Sequence, residues 1–450
     1  MNVNSKTSSP RFFNALAQQL PAAVAKLHHI EAEALARRSG FLRRTPRKIL
    51  MPDFLKGLLA LAPETNLSLE RTASVIGLAA QTTYSKQALG QRLSHQIQPF
   101  LASAITRLLG QLSSAVDTGQ WLGSFSRVLV QDSTVEKLPK HLARCFPGGG
   151  NQHGGDYANL KIQWICDLKN SAVEQVSLSG FTRNDQAAAP DILEVARPGD
   201  LVLRDLGYLV SGVLARMVDR GIFFLTRHRH CVNFHDPRTG QPFDLLARLR
   251  TSRALDLTLL LGPERVPVRL VALPVPEEVA NLRRHRAKTS AQRRHRSPPG
   301  KDHFCLMSWN LFLTNVPASL WPPKAMVAVY RLRWRIEIVF KTWKSHLGLR
   351  HLNCRTAALL ELSVLTKLLF CALVCQICDV LELRSTNGDH VRLLRLGRLL
   401  GQCACWFSAL LLGLSVSQWL EFSLAHHAFY DRRKDRQNYY QLLTNVGTLA

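Results

Sequence analysis

The sequence predicts an α/β protein, with helical regions on either side of a layered core. Three observations predict it. Between Arg127 and Thr226, short apolar runs alternate with amphipathic stretches, as expected of strands covered by helices. Residues 1–117 carry helical periodicity and few strand signals. Beyond residue 350 the chain again reads as apolar helices.

Taken in order, residues 12–35, 55–61, 69–76 and 85–109 read as helices, separated by turn signals such as Ala62-Pro63. Residues 69–76, a turn at Gly77 and residues 85–93 have the spacing of a helix-turn-helix, which any short helical bundle shares. Val128-Leu129-Val130 leads through Gln131 into Asp132, a short strand ending in a carboxylate. Residues 148–155 read as a glycine-rich loop, 160–168 and 172–178 as strands, and 190–196 as a short helix. Asp200-Leu201-Val202-Leu203-Arg204-Asp205 is a second apolar strand ending in a carboxylate. Residues 209–220 follow as an amphipathic helix and 222–226 as a strand.

Residues 229–316 read as an insertion with β character of its own, with strands expected at 255–261, 266–275 and 304–314. Between the last two, residues 283–296 hold seven Lys/Arg and no acid, a solvated loop suited to clamping phosphates. After Pro322-Pro323 one long helix is expected from Met326 to Leu347, then apolar helices to the end, with basic residues returning at Arg432-Arg433-Lys434. The domains that follow are 1–117, 118–228, 229–316, 317–350 and 351–450.

At 450 residues, 46% hydrophobic and 20% charged, the chain has globular composition and ample length for a core. The 58 Lys+Arg against 32 Asp+Glu give a net charge of +26. Such an excess attracts a polyanion, nucleic acid or an anionic membrane surface, and disfavours cationic ligands. The opening residues lack the apolar stretch of a secretory signal. The most apolar run, 359–383, is interrupted by Glu361, Lys367, Asp379 and Glu382, so no uninterrupted piece reaches the ~20 residues of a membrane span. It reads as a buried helix. Ten cysteines are too sparse for a disulfide scaffold and fit a reducing, cytoplasmic setting.

The chemistry concentrates on the expected long helix. Tyr330, Arg333, Glu337 and Lys344 follow one another by three, four and seven residues, which are helix-face steps. A lone acid among Arg331, Arg333, Arg335, Lys341 and Lys344 is not ordinary ion-pair patterning, and such a surplus of bases calls for an anion between them. Trp334 and Trp343 alternate with these charges, and core packing is expected of at least one. Asp132 and Asp205, both placed at strand ends, would emerge at the sheet rim where open α/β sheets bind ligands. With Glu337 they make a three-carboxylate pocket, and close carboxylates repel unless cations lie between them. Mg²⁺ suits that set. Two ions ~3.5–4 Å apart serve phosphodiester chemistry. Singly, each Asp also reads as a turn or cap residue.

These residues carry a family resemblance. Asp132-Ser133-Thr134, Arg204-Asp205-Leu206-Gly207-Tyr208, Leu313-Thr314-Asn315 and the stretch from Tyr330 to Lys344 resemble the DDE transposases of bacterial insertion sequences, specifically the insertion-sequence-four family with its Tyr-Arg-Glu-Lys signature. The resemblance spans residues 125–350. It implies a ribonuclease-H-like core interrupted by a β-rich insertion before the glutamate helix. It implies Asp132, Asp205 and Glu337 as ligands of two Mg²⁺ ions (Mn²⁺ substituting), and Tyr330, Arg333 and Lys344, assisted by Lys341, as phosphate holders. The implied partners are double-stranded DNA, as element ends and as target, and a second copy of the chain in the DNA complex. The implied setting is the bacterial nucleoid. The implied reaction is cleavage at the element's ends followed by attack of the freed 3′-hydroxyl on target DNA. Relatives pass through a hairpin intermediate with a flipped base; Trp309 is the stacking candidate here, although its strand-like surroundings favour core packing. The competing expectations are a non-catalytic DNA-binding relative and a two-metal nuclease without strand transfer.

Three weaker signals point elsewhere. Cys371, Cys375 and Cys378 have iron–sulfur spacing but sit in an apolar helical run, so buried packing is expected. The glycines of 148–155 lack the Lys-Ser/Thr ending of a nucleotide loop. His228, His230 and His235 beside Cys231 do not match a zinc finger.

Overall fold

The computed structural model describes residues 31–62, 67–94, 96–110, 119–149, 157–228, 230, 232–293, 295, 297–349, 352, 354–383 and 392–402. The sequence expectations for residues 12–30, most of the 148–155 loop, Cys231 and everything after 402, including Arg432-Arg433-Lys434, lie outside the described residues. Ten strands are described: β1 (Val128–Leu138), β2 (Ala158–Asp167), β3 (Val173–Gly180), β4 (Leu201–Arg204), β5 (Phe223–Arg227), β6 (Phe234–His235), β7 (Pro242–Phe243), β8 (Leu255–Leu261), β9 (Val266–Pro274) and β10 (Trp309–Thr314). The fold is mixed α/β, as expected. The chain forms two compact units from interleaved stretches. The first takes its described residues from Met1–Val116, Ser133–Arg183 and Trp334–Tyr440, the second from Asp117–Asp132 and Asn184–Arg333.

In the first unit, strands run in the order β3-β2-β1. The β2–β3 pair is antiparallel, with Leu160 opposite Gly180 and Trp164 opposite Val176. The Ile97–Gly110 helix lies against β3, and the Ala357–Leu383 helix packs on it and on Met51–Leu61. Phe41, Phe54 and Phe100 fill this helical core, with Phe41 and Phe100 stacked at 4.9 Å. The Ala357–Leu383 helix contains a stretch long and apolar enough to cross a membrane, and most of that stretch is buried inside the protein. Its Lys367 is fully buried and donates to the Ala62 carbonyl at 3.2 Å. Cys371, Cys375 and Cys378 are buried free thiols on the same helix, as expected.

The expected helix-turn-helix stretch forms two helices, Leu69–Ala79 and Lys86–Arg92. Ser68 and Ser85 cap them by accepting from the Arg71 and Ala88 amides. The turn is not at Gly77, which lies inside the first helix. A Cβ there would stand 2.6 Å from the Thr82 carbonyl, so the glycine lets the following turn fold back over the helix. The expected helix over 85–109 is likewise two helices, Lys86–Arg92 and Ile97–Gly110.

In the second unit the order is β1-β4-β5-β10-β9-β8-β6-β7. The β1, β4 and β5 strands are parallel. β10 is antiparallel to β5 and to β9, and β8 antiparallel to β9. Residues 229–316 therefore supply strands that continue the sheet beyond β5. Leu201, Val202 and Leu203 are fully buried, as are Val128, Leu129 and Val130, the pattern of parallel strands covered on both faces.

Four local expectations need correction. β1 does not end at Asp132 but runs on to Leu138; only its pairing with β4 stops, at Gln131 opposite Arg204. The basic stretch after Arg283 is not a loop but the body of a helix, Glu277–Arg293, favoured by acids in its first turn and bases in its last. Residues 301–306 are helical, leaving Trp309–Thr314 as the strand. The helix expected from Met326 to Leu347 is broken. Pro323–Arg331 ends in a tightened turn, in which Leu332 and Arg333 donate to the Val329 and Tyr330 carbonyls three residues back, and Trp334–His346 begins anew.

Candidate active site

In the second unit, two polar ties bracket the apolar β1–β4 pairing. At its start the Arg127 guanidinium grips buried Asp200, with Nη2 to Oδ2 at 2.6 Å and Nε to Oδ1 at 3.2 Å. At its end Arg204 Nε and Nη2 donate to Gln131 Oε1 at 3.0 and 2.7 Å. One residue beyond that tie, on each strand, stands a predicted aspartate. Adjacent strands lie ~4.8 Å apart, so Asp132 and Asp205 are held as near neighbours.

Each aspartate receives a donor from a signature residue. Arg333 Nη1 donates to Asp132 Oδ2 at 2.8 Å. The Tyr330 hydroxyl donates to Asp205 Oδ1 at 3.2 Å. Asp205 also opens the short 3-10 turn Leu206–Tyr208, its carbonyl accepting from the Tyr208 amide at 3.1 Å. The Tyr330 ring packs on Phe312, and the Arg333 guanidinium lies over it, 5.6 Å from the centroid. Burial pushes the Tyr330 phenol well above its ordinary range; Arg333 opposes the rise and Asp205 adds to it. Tyr330 is thus a hydrogen-bond donor at any physiological pH. Four of the seven predicted site residues are together in this unit.

The other three lie on the Trp334–His346 helix of the first unit. Glu337 sits in its first turn, where the helix dipole favours a carboxylate, and is partly exposed. Lys341 is exposed. Lys344 is engaged with β1: its Nζ lies 2.6 Å from Glu136 Oε1 and donates to the Val135 carbonyl at 2.9 Å. Trp343 is buried against Trp164 at 4.6 Å and Phe340 at 5.2 Å, whereas Trp334 is 60% exposed.

The sequence reading missed Gln131 and Arg204, although a polar residue stands directly before each aspartate. It also missed a cavity of about 440 Å³ in the second unit, lined by Leu206, Arg227, Arg283, His303, Trp309 and others. Trp309 is 9% exposed, so it is both a packed residue and part of the cavity wall. Arg283 is anchored there by the Met307 and Trp309 carbonyls and by Asn310 Oδ1. His228 and His230 line the same cavity and make ring contacts, His228 on Phe234 and His230 on His303.

Asp132 on β1 and Asp205 directly after β4 offer hard oxygen donors from anchored backbone, a fit to a divalent cation. Among the described residues no three His, Cys, Asp or Glu side chains form a ready-made cage. Magnesium does not require one, since it commonly takes one or two carboxylates and completes its shell with water and substrate phosphate.

A family model described as "Transposase DDE domain" matches residues 123–375, more than half of the chain. The chain is 29% identical over 364 residues to the transposase for insertion sequence element IS231C of Bacillus thuringiensis subsp. berliner, an alignment covering 75% of this chain and 74% of that relative. It is 28% identical over 345 residues to the transposase for IS231D of Bacillus thuringiensis subsp. finitimus, covering 71% of each. Against the transposase for IS1151 of Clostridium perfringens it is 23% identical over 342 residues, covering 70% of this chain and 71% of that relative.

Proposed function

The chain belongs to the DDE transposases, in the group of the insertion-sequence-four family, and from that premise we propose that it cuts DNA at the ends of its mobile element and joins the freed ends to a target duplex. The observation that carries this reading is the aspartate pair Asp132 and Asp205 at adjacent strand positions, each served by a signature side chain, Arg333 or Tyr330. Asp132, Asp205 and Glu337 are the ligands we assign to two Mg²⁺ ions, with Mn²⁺ able to substitute. When bound, such a pair supplies an activated water and stabilises the departing oxygen.

In the first step a water oxygen bonds to the end phosphorus, the P–O3′ bond breaks, and the 3′-oxygen takes up a proton. In the second, that 3′-hydroxyl bonds to a target phosphorus, gives up its proton and displaces the target's own 3′-oxygen. Arg333 neutralises Asp132 and holds a planar cation beside the aspartates, the charge and shape that suit a phosphate. Tyr330 orients Asp205 with its one hydroxyl proton, a donor that can turn to a DNA oxygen instead; Lys341 and Lys344 add positive charge along the backbone. The cavity beside Leu206 has the size and the Trp–Arg lining to receive one unstacked base, which would serve a hairpin intermediate.

Residues 1–117 are assigned to reading the end sequence and 118–228 with 317–350 to a ribonuclease-H-like catalytic core. Residues 229–316, the insertion, are assigned to backbone contact, and 351–450 to pairing two copies on DNA. With that function goes a location on the nucleoid, in the cytoplasm, as part of the same proposal.

The test is cleavage of DNA bearing the element's ends in Mg²⁺ or Mn²⁺, comparing wild type with Glu337→Gln. Boundary cuts by wild type, lost in the variant while end binding persists, are expected. Undiminished cutting by the variant removes Glu337 from the metal set. Binding without cutting by either protein turns the assignment to a non-catalytic DNA-binding relative, and cutting without joining turns it to a nuclease.

A further inference from the structure

Arg204 is 1% exposed and Gln131 fully buried, yet neither touches the predicted site through its own side chain. Successive side chains on a strand point to opposite faces, so this pair lies on the face away from Asp132. There the Arg204 fork closes a small network. Besides its two bonds to Gln131, Nη2 donates to the Ala189 carbonyl, and Gln131 Nε2 donates to the Ala188 carbonyl at 2.8 Å. The guanidinium also stacks against Tyr208, 5.7 Å from its centroid, and Tyr208 belongs to the turn that Asp205 opens. The network therefore fastens together β1, β4, the 188–189 backbone and the Asp205 turn, one residue before each aspartate.

Stability alone does not account for this arrangement. A buried cation bonded to neutral oxygens is costly to desolvate, and well-packed apolar residues in its place are often as stable or more so. What apolar residues cannot reproduce is a planar, directional fork that sets the register and spacing of two strand ends. We propose that the Arg204–Gln131 bridge is a positioning device that fixes the separation of the Asp132 and Asp205 carboxylates and thereby their affinity for divalent cations. This rests on the two-metal reading above. Support residues behind metal ligands typically change metal affinity by about 10–100-fold when lost.

The deciding variant is Gln131→Leu combined with Arg204→Met in the full chain, which removes both sides of the bridge together, and with them the donors to the Ala188 and Ala189 carbonyls. Direct Mn²⁺ binding, read as free Mn²⁺ by electron paramagnetic resonance, is expected to weaken at least tenfold. The Mg²⁺ concentration for half-maximal cleavage should rise in parallel, with a thermal melt recorded beside it so that the binding loss is read on folded protein. A folded double variant that binds Mn²⁺ within twofold of wild type overturns the proposal. Should the double variant fail to melt cooperatively, Arg204→Lys, which keeps the charge but loses the fork, is read by the same titration: unchanged Mn²⁺ affinity overturns the proposal, weakened affinity supports it. Asp132→Asn separates the layers of the argument. If wild type binds no Mn²⁺, or Asp132→Asn binds it normally, the two-metal reading falls and takes this proposal with it. If Asp132→Asn loses binding while the bridge variants keep it, only the bridge is refuted.

Discussion

His228 shows how one side chain's surroundings set a measurable property of the protein. Its ring is stacked on Phe234, and burial, reinforced by nearby His230, lowers its pKa to about 4. The unfolded chain takes up this proton near pH 6.5, so between about 6.5 and 4 the unfolded state binds more protons than the folded one. Stability therefore falls as pH drops through that window, by on the order of 3 kcal/mol from this group alone. Urea unfolding at pH 7, 5.5 and 4.5 should show the decline, and His228→Phe should flatten it; an unchanged slope in the variant would mean that His228 titrates normally in the fold. Arg333 belongs to the same scale. Its place in the signature was legible from spacing, but its partner was not, because Asp132 is 201 positions away in the chain. A separation of 209 positions likewise hid the attachment of Lys344 to Val135, and with it that to Glu136.

Elements were legible where periodicity was strong. The strands at 255–261 and 266–274 and the buried helix at 357–383 lie within a residue or two of where the apolar pattern puts them. The Glu277–Arg293 helix was not, since its apolar face is almost missing: Ala280 is its one buried residue, and the charge run reads as loop. It is held at its first half by Arg283, bonded to the Met307 and Trp309 carbonyls, and by Arg284, which donates to Ser308 Oγ at 2.5 Å. The second half presents Arg286, Lys288 and Arg293 on exposed helix. If this half grips DNA, neutralising the three residues to Gln should lower the salt slope of end binding by up to about 3, roughly 0.9 per lost phosphate contact. Thermal stability should move by no more than about 0.5 kcal/mol, as for other surface changes. An unaltered slope would take the helix out of the DNA interface. The break at Leu332–Arg333 was equally hidden, because no Pro or Gly marks it and the apolar spacing continues across it.

At the scale of the whole molecule, residues 1–117 looked like a self-standing domain, yet their described helices share one compact unit with β2, β3 and the Ala357–Leu383 helix. The Met51–Leu61 and Ile97–Gly110 helices bury apolar faces against that distant helix, and buried Lys367 is tied to Ala62. Residues 1–117 expressed alone should therefore lack a cooperative urea transition, while the full chain shows one; a sharp two-state transition in the fragment would establish an independent domain. The order of the motifs, the α/β class, the polyanion-seeking charge and the identity of the two strand aspartates were determined by the sequence itself, since local periodicity and residue chemistry suffice for them. Tertiary structure alone decided that the described helices before residue 117 and after residue 333 belong to one unit, that Arg333 and Tyr330 close on Asp132 and Asp205, and that Arg204 and Gln131 tie their strands. Those features depend on contacts between residues tens to hundreds of positions apart, which packing selects and local pattern does not encode.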